Sequence, residues 1–217
     1  MTLRTRLFSI AAIIIVLGGG TGGFLYWKQI SEYVSTDDAF INGRQIVISA
    51  PASGKITDWT GIGGTTYPSG ATIGDIEVTS GDASSSVPIP IPANSTIIQR
   101  TAVNGEYVAM GTPLAYAYNL NNLWVTANVK ETEIRYVNLG APVDITVDAY
   151  PGLLLHGKVE QIEAATASTF SLIPSESTNA NFTKVTQVIP VKISIENSPI
   201  ASLAPGMSVE VKIHKQS

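Results

Sequence analysis

Residues 51–73 read PASGKITDWTGIGGTTYPSGATI, and residues 92–114 read PANSTIIQRTAVNGEYVAMGTPL, the same pattern 41 positions later (51 to 92) without a gap. Each copy holds two glycines that flank an apolar residue at a distance of three: Gly64 and Gly70, then Gly105 and Gly111. Such glycines suit tight turns between short strands, because glycine adopts positive φ without a steric penalty. The repeat predicts a pseudo-symmetric β-module of two halves, each too short to bury a core unless it closes on the other.

This internal symmetry is typical of the lipoyl-like fold, also called a barrel-sandwich hybrid. We place the two halves at residues 39–78 and 88–118. The segment between them, 79–87, reads TSGDASSSV, and its small polar residues predict a short flexible loop. The sequence departs from the symmetry at Ser95, where the repeat predicts a glycine. The glycines expected at structural turns are Gly54, Gly64, Gly70, Gly105, Gly111, Gly140 and Gly206.

A second β-rich module is predicted after the repeat, over residues 119–217. Short segments such as Val143–Val147 and Met207–Ile213 alternate apolar and polar residues, which is the period of a half-buried strand. The interval Glu131–Leu139 has acidic residues early and ends before Gly140, so we expect one short helix there. The prediction is therefore a mainly β fold, in which a small β-barrel with one short helix follows the lipoyl-like module.

An uncharged apolar stretch, residues 7–27, lies behind Arg4 and Arg6. As a helix it would span roughly 30 Å, the thickness of a bilayer core. By the positive-inside rule, residues 1–6 would lie in the cytoplasm, residues 28–38 would form a stalk, and the rest would lie outside. The side chains assigned to this transmembrane helix are Leu7, Ile13, Ile14, Ile15, Val16, Leu17, Phe24, Leu25 and Trp27.

A cleaved signal peptide is the alternative interpretation of this stretch. Ile10–Leu17 could serve as its apolar region, and Gly18–Gly20 would supply small residues for cleavage. Apolar and aromatic residues resume at Phe24–Trp27, which favours an uncleaved membrane helix.

Composition and charge exclude several classes of function. The net charge of −4 offers no basic field for nucleic acid, and the absence of cysteine excludes disulfides and thiolate metal sites. A lipoyl-like carrier needs a lysine at the turn joining its halves, and none occurs between Lys55 and Lys130, so attached lipoate or biotin is excluded. His156 and His214 are the only histidines, each isolated in a predicted strand. We expect no metal, no cofactor and no enzymatic activity.

Several further stretches carry a resemblance to a known family: Ser35–Phe40, Ala50–Ile56, Asn122–Glu133, Phe170–Pro174, Asn181–Val185 and Pro205–Met207. Together with the glycine repeat, they resemble the membrane fusion proteins. These are the HlyD-like periplasmic adaptor subunits of efflux and secretion systems. The chain is most similar to the branch that serves major-facilitator drug exporters.

The resemblance implies a single-pass protein of the bacterial inner membrane, with its bulk outside the cytoplasm. It would form a homo-oligomer and bind an inner-membrane transporter. The branch that it most resembles implies a transporter of the major-facilitator type. Adaptors of this family insert a long α-helical hairpin between the lipoyl halves, and its tip meets an outer-membrane channel. In this chain, Thr79–Val87 occupies the position of that hairpin, so direct contact with an outer-membrane channel is not expected. The alternative is a cell-envelope structural or regulatory subunit that retains the fold without channel docking.

Overall fold

The computed structural model describes residues 32–81, 83–163, 187–196 and 203–215. The segment predicted to cross the membrane, 7–27, lies outside these residues, and no helix within them is long and apolar enough for a membrane span. The described part is mainly β, as predicted, with one 3₁₀ helix at Ile134–Tyr136. Its strands are β1 (Tyr33–Thr36), β2 (Ala39–Ser49), β3 (Gly54–Thr57), β4 (Thr66–Tyr67), β5 (Thr72–Ser80), β6 (Ala83–Pro90), β7 (Ser95–Arg100), β8 (Tyr107–Val108), β9 (Pro113–Lys130), β10 (Pro142–Val147), β11 (Leu154–Ile162), β12 (Val188–Glu196) and β13 (Val209–His214).

The two halves of the repeat interlock in the lipoyl-like module. Strands β2 to β5 come from the first half, and β6 to β9 come from the second. One sheet has the order β6-β5-β3-β8, and in the other β2 pairs with β9, which continues to β7 and β4. Each sheet therefore takes two strands from each half, and neither half forms a sheet by itself.

Backbone hydrogen bonds between the halves occur in symmetry-related pairs. The four glycines of the repeat donate their amide N–H groups to carbonyls of the opposite half: Gly64 to Ile97 at 2.7 Å, and Gly105 to Ile56, Gly70 to Ile91 and Gly111 to Ala50 at 2.8 Å. All four have φ between +80° and +90°, where a side chain is disfavoured. The turns that shape one half are thus fixed by the other half.

Gly54 has a different role from the other glycines predicted at turns. Gly140 and Gly206 have φ of +78° and +91°, but Gly54 begins β3 and the prediction of a turn there is wrong. A Cβ at Gly54 would clash with the carbonyl oxygen of Glu77 on β5, so close approach of two strands requires the glycine. Ser95, at the equivalent position, begins β7 and donates its hydroxyl to the Ala93 carbonyl at 2.8 Å.

Each module has its own hydrophobic core. The core of the lipoyl-like module consists largely of isoleucines in symmetry-related pairs, and its main members are Ile48, Ile56, Ile73, Ile76, Ile89, Ile91, Ile97 and Leu114. The core of the barrel is built from valines and isoleucines, chiefly Ile41, Val125, Val129, Val143, Ile145, Val191, Ile193, Val211 and Ile213. Both sets are almost fully shielded from solvent.

The barrel begins earlier in the chain than predicted. Residues 33–36, assigned to the stalk, form β1, which pairs with β13 in the order β1-β13-β10-β11-β12-β9, and β2 pairs with β9. The Ile41 amide donates to the Met207 carbonyl and the Gly206 amide donates to the Ile41 carbonyl, both at 2.8 Å. These bonds close the barrel between β2 and the start of β13.

Two further sequence-based boundaries are wrong. The predicted flexible loop 79–87 belongs to a β-hairpin, in which β5 and β6 remain paired as far as Ser80 and Ala83. The pairing of β5 and β6 starts beside the core and continues beyond it. Each row of hydrogen bonds orders the next row, although the residues of the loop are small and polar. The predicted helix 131–139 is reduced to one 3₁₀ turn, Ile134–Tyr136.

Substituting alanine at both Gly70 and Gly111 should destabilise the protein through the backbone alone. Nothing lies within 4 Å of a Cβ at either site, so the penalty is that of positive φ, about 1 kcal/mol each. Thermal unfolding of residues 29–217 should show the melting temperature of the double variant reduced by roughly 4–8 °C. Ser84→Ala, in the exposed hairpin, is the control, and an equal effect at Ser84 would contradict the assignment.

Candidate functional site: the junction of the two modules

Two strands join the lipoyl-like module to the barrel. β9 runs from Pro113 to Lys130 and belongs to both modules, and β2 pairs with it over most of this length. The predicted boundaries at residues 39 and 119 therefore do not separate domains. The modules are connected by a hydrogen-bonded two-stranded ribbon, which transmits a tilt of one module to the other better than a single-chain linker would.

The buried face of this ribbon changes at the junction. On β2, Ala39 and Ile41 are buried in the barrel, but Ile48 is buried in the lipoyl-like module. Odd and even positions of a strand point to opposite sides, and the exposed pair Arg44 and Gln45 marks the change of phase. On β9 the buried positions stay odd on both sides of the junction, Ala115 and Ala117 in the lipoyl-like module and Val125 and Ala127 in the barrel, so the change of phase is confined to β2.

Gly43 is at this change of phase on β2. A Cβ there would lie 2.8 Å from Leu123 Cδ2 and 3.3 Å from Tyr118 Cδ1, so a side chain would push into residues of both modules. Beyond Gly43 the ladder is irregular, because Arg44 of β2 faces four residues, 119–122, of β9. A glycine and a bulge together let the ribbon pass from one core to the other.

Polar side chains surround the bulge. Asn119 Oδ1 accepts a hydrogen bond from the Asn121 amide at 3.0 Å. Open grooves of ≈ 310 and ≈ 490 Å³ flank it, lined by Asn94, Asn119 and Asn121 on one side and by Arg44 and Asn122 on the other. Because both grooves are open to solvent and polar, they suit contact with another surface more than the enclosure of a small molecule.

The structure brings together the two histidines that are isolated in the sequence. His156 Nδ1 lies 3.1 Å from Asp144 Oδ1, and His214 Nε2 lies 3.0 Å from Asp144 Oδ2. The ring of Tyr33 meets that of His214 edge-on at 4.7 Å between centroids. This cluster ties β1, β10, β11 and β13 together on the outer wall of the barrel. Within the described ranges, no group of three or more histidine, aspartate or glutamate side chains is arranged to hold a metal ion.

The β5–β6 hairpin projects from the lipoyl-like module at its other end. Val78, which pairs with Ser85, is the last residue of the hairpin packed against the core, and Thr79–Ser84 and Ser80–Ala83 pair beyond it. The residues of the tip are small and exposed. Two rows beyond the core amount to a reach of roughly 7 Å at the rise of a β-strand.

The residues singled out from the sequence lie in different parts of the structure. The side chains assigned to a membrane helix lie outside the described residues. The glycines at 64, 70, 105 and 111 hold the two halves of the lipoyl-like module together, whereas those at 140 and 206 lie in turns of the barrel. Sequence reasoning missed Gly43 and the bulge at 119–122. A signal for Gly43 exists in the apolar pattern of β2, which changes from odd positions to even ones between Ile41 and Ile46.

Comparison with known proteins identifies the family. A family model described as the CusB-like beta-barrel domain matches residues 122–170. The efflux system component YhbJ of Bacillus subtilis is 40% identical over 210 residues, which are 97% of this chain and 92% of that protein. The chain is a membrane fusion protein of the EmrA branch. The resemblance inferred from the motifs is therefore confirmed.

More distant relatives share part of their length with this membrane fusion protein. The multidrug export protein EmrA of Escherichia coli is 33% identical over 126 residues, which are 57% of this chain and 32% of EmrA. This chain thus matches about a third of the EmrA sequence. A solved structure of the periplasmic adaptor protein EmrA has a TM-score of 0.60 at 13% identity, covering 85% of this chain and 99% of that one. The fold of this adaptor is therefore shared.

Replacing Gly43 by leucine should strain the junction. The side chain has no room between Leu123 and Tyr118, and overpacking of this kind costs about 1–3 kcal/mol. Thermal unfolding of residues 29–217 should show a clearly lower melting temperature.

Arg44→Leu is the matched control, because the neighbouring side chain is exposed and the added leucine is the same. If both variants melt at the same temperature, the junction is not fixed by packing at Gly43 and this description of it is wrong.

Proposed function

We propose that the chain is an adaptor anchored in the inner membrane by residues 7–27, with its bulk outside the cytoplasm. It works as a homo-oligomer with an inner-membrane exporter of the major-facilitator type. The observation that carries the proposal is the match to an efflux system component along 97% of the chain. The name of EmrA, a multidrug export protein, supports a role in export.

The mechanism in this proposal is mechanical. β1 directly follows the predicted anchor and is part of the barrel, so the barrel is the module next to the membrane. The β2–β9 ribbon joins this barrel to the lipoyl-like module through two paired strands, interrupted only by the bulge at residues 119–122. A change in the exporter that tilts the barrel would move the lipoyl-like module with it, and the exit path would open or close accordingly.

The proposal gives the β5–β6 hairpin no role in docking to an outer-membrane channel. A helical hairpin needs dozens of residues to cross toward an outer membrane, at about 1.5 Å per residue. The paired strands of this hairpin end at Ser80 and Ala83. We propose that the exporter binds the anchor and the barrel, and that the hairpin end faces away from the membrane.

The test is purification of the tagged full chain from native membranes, followed by mass spectrometry of the bound proteins. We expect the protein to resist alkaline carbonate washing and to bring down a polytopic exporter. Recovery of envelope-assembly proteins without an exporter would overturn the proposal in favour of a structural subunit.

A shortened hairpin serves as the matched variant in this experiment. Val78 and Ser85 are register partners, so an Asn-Gly turn can replace the residues between them. The variant should fold and should bind the same exporter to the same extent. Loss of the exporter from a stably folded, membrane-bound variant would show that the tip itself is a recognition element.

A further inference from the structure

The strand register defines which end of the barrel lies nearer the membrane. Tyr33, the first residue of β1, pairs with His214 at the end of β13, and the Lys215 amide donates to the Glu32 carbonyl at 3.0 Å. The chain therefore arrives from the predicted anchor beside the last residues of β13. Because β10 pairs with β13 in the antiparallel direction, β10 begins at the same end. We call this end, where β1 and β10 begin and β13 ends, the anchor end.

The predicted anchor is close to this end along the chain. It ends at Trp27, five residue steps before Glu32 (32 − 27). A fully extended chain covers at most about 3.3–3.6 Å per residue, so Glu32 lies at most roughly 16–18 Å from the end of the anchor. The headgroup layer on one side of a bilayer is itself about 5–8 Å thick. An anchored chain thus holds the anchor end of its barrel within reach of the lipid headgroups.

The connection between β9 and β10, residues 131–141, lies at the anchor end. Val137 and Ala141 are buried in the barrel core, and Ile134 packs against this core. Gly140 donates its amide to the Val159 carbonyl at 2.8 Å, which fixes the end of the connection to β11. The side chains between Ile134 and Ala141 that remain exposed are Arg135, Tyr136, Asn138 and Leu139.

These exposed residues combine an aromatic ring, an aliphatic side chain and cations. Tyr136 is 40% exposed and Leu139 is 66% exposed. The guanidinium carbon of Arg135 lies 4.7 Å from the centroid of the Tyr136 ring, and Lys215 Nζ lies 5.1 Å from it. We call Arg135, Tyr136, Leu139 and Lys215 the Tyr136 patch. Tyrosine is enriched at membrane–water interfaces, and cationic side chains next to it can bind phosphate.

The opposite end of the barrel provides an internal comparison. Tyr150 and Leu154 are exposed there, by 38% and 54%, so exposed aromatic and aliphatic residues occur at both ends. The turn between β10 and β11 that holds Tyr150 carries Asp148 and no cation. Among the described residues, cations lie over the ring of Tyr136 and not over that of Tyr150. The exposed tyrosine is therefore accompanied by cations only at the end that the anchor reaches.

The anchor end as a whole carries both signs of charge. Its acidic residues are Glu32, Glu131, Glu133 and Glu163, and its basic residues are Lys130, Arg135 and Lys215. The end has no excess of positive charge with which to attract an anionic bilayer. A contact with lipid would depend instead on the phosphate group, which every phospholipid carries, and on burial of Tyr136 and Leu139 at the interface.

We propose that the Tyr136 patch lies in the outer headgroup layer of the membrane that holds the anchor. The Arg135 guanidinium donates to lipid phosphate, the Tyr136 ring lies among the headgroups, and Leu139 reaches the boundary of the acyl chains. Within the described part of the chain, no carboxylate forms an ion pair with Arg135, so no bond in the protein has to break.

The contact gives the barrel a second point of attachment to the membrane. The inference rests on the proposed function in one respect, the anchor at residues 7–27. A single helix joined to the barrel by a few residues leaves the barrel free to swivel about the joint. A patch held in the headgroup layer restricts this motion, so that the barrel keeps a defined orientation on the membrane surface.

A fluorescence measurement of depth in the full chain tests the contact, since the chain has no cysteine. Leu139→Cys and Leu154→Cys are labelled with the same dye and reconstituted in vesicles of phosphatidylethanolamine and phosphatidylglycerol that contain a lipid with a nitroxide on its headgroup. Leu154 pairs with Thr146 towards the far end of β10. Because this row is roughly 13 Å beyond Pro142, we expect the dye at 139 to be quenched about threefold more strongly than the dye at 154.

Equal quenching at 139 and 154 would overturn the proposal. The vesicles contain no other protein, so a patch whose partner is the exporter and not lipid would also give this result. Quenching at 139 should persist when phosphatidylcholine replaces both lipids, because the contact is made to phosphate and not to net charge. Its loss in phosphatidylcholine would overturn the proposal as well.

Charge reversal provides a matched pair of variants in the Leu139→Cys chain. Arg135→Glu places a carboxylate against the lipid phosphates and should reduce the quenching to about the level of residue 154, with an unchanged melting temperature because Arg135 is exposed. Arg44→Glu changes the net charge equally at the junction, where Arg44 is also exposed, and should leave the quenching unaltered. Equal quenching in the two variants would contradict the proposal.

Alkaline carbonate washing of the same vesicles tests the anchor separately. Release of the chain would refute the anchor and, with it, this contact. A chain that resists the wash and yet shows equal quenching at 139 and 154 would refute the contact alone and leave the proposed function intact.

Discussion

Neither half of the repeat can satisfy its own backbone, and this constraint governs the structure. The turns of each half direct their amide groups to carbonyls of the opposite half, with Gly64 and Gly105 as one reciprocal pair and Gly70 and Gly111 as another. The accepting carbonyls belong to the buried residues Ala50, Ile56, Ile91 and Ile97, and a buried carbonyl left without a partner costs the fold free energy. The lipoyl-like module therefore forms from both halves at once. Its two sheets then provide a rigid base from which β2 and β9 leave toward the barrel.

The structure of the junction follows from how these two strands leave. On β2 the buried positions change from odd in the barrel, such as Ile41, to even in the lipoyl-like module, such as Ile48, whereas on β9 they stay odd. The ribbon accommodates this difference with Gly43, where a side chain would have no room, and with a bulge in β9.

Much of the fold could be predicted because the glycine repeat reports backbone geometry directly. Glycine tolerates positive φ, and the regular spacing of Gly64 and Gly105 marks where the chain turns. These turns could therefore be predicted without knowledge of tertiary contacts. The hairpin at 79–87 could not be predicted in this way. Its strands extend the ladder that begins at rows such as Ile76–Val87, and its own serines do not favour a strand. Strand pairing overrides local propensity in such cases.

The junction was unpredictable for a related reason. A glycine inside a strand pattern suggests close backbone approach, but only the positions of Leu123 and Tyr118 show what approaches Gly43. Likewise, the convergence of His156 and His214 on Asp144 depends on the order β11-β10-β13, which the sequence does not specify.

Hydrogen exchange of the backbone amides tests most directly whether the two halves form one cooperative unit. The amides to compare are those that cross between the halves: Ala50, Ile56, Gly64, Gly70, Ile91, Ile97, Gly105 and Gly111. If neither half can stay folded alone, the free energies of opening should agree between the two halves to within about 1 kcal/mol. Protection in one half while the equivalent amides of the other exchange freely would contradict the account.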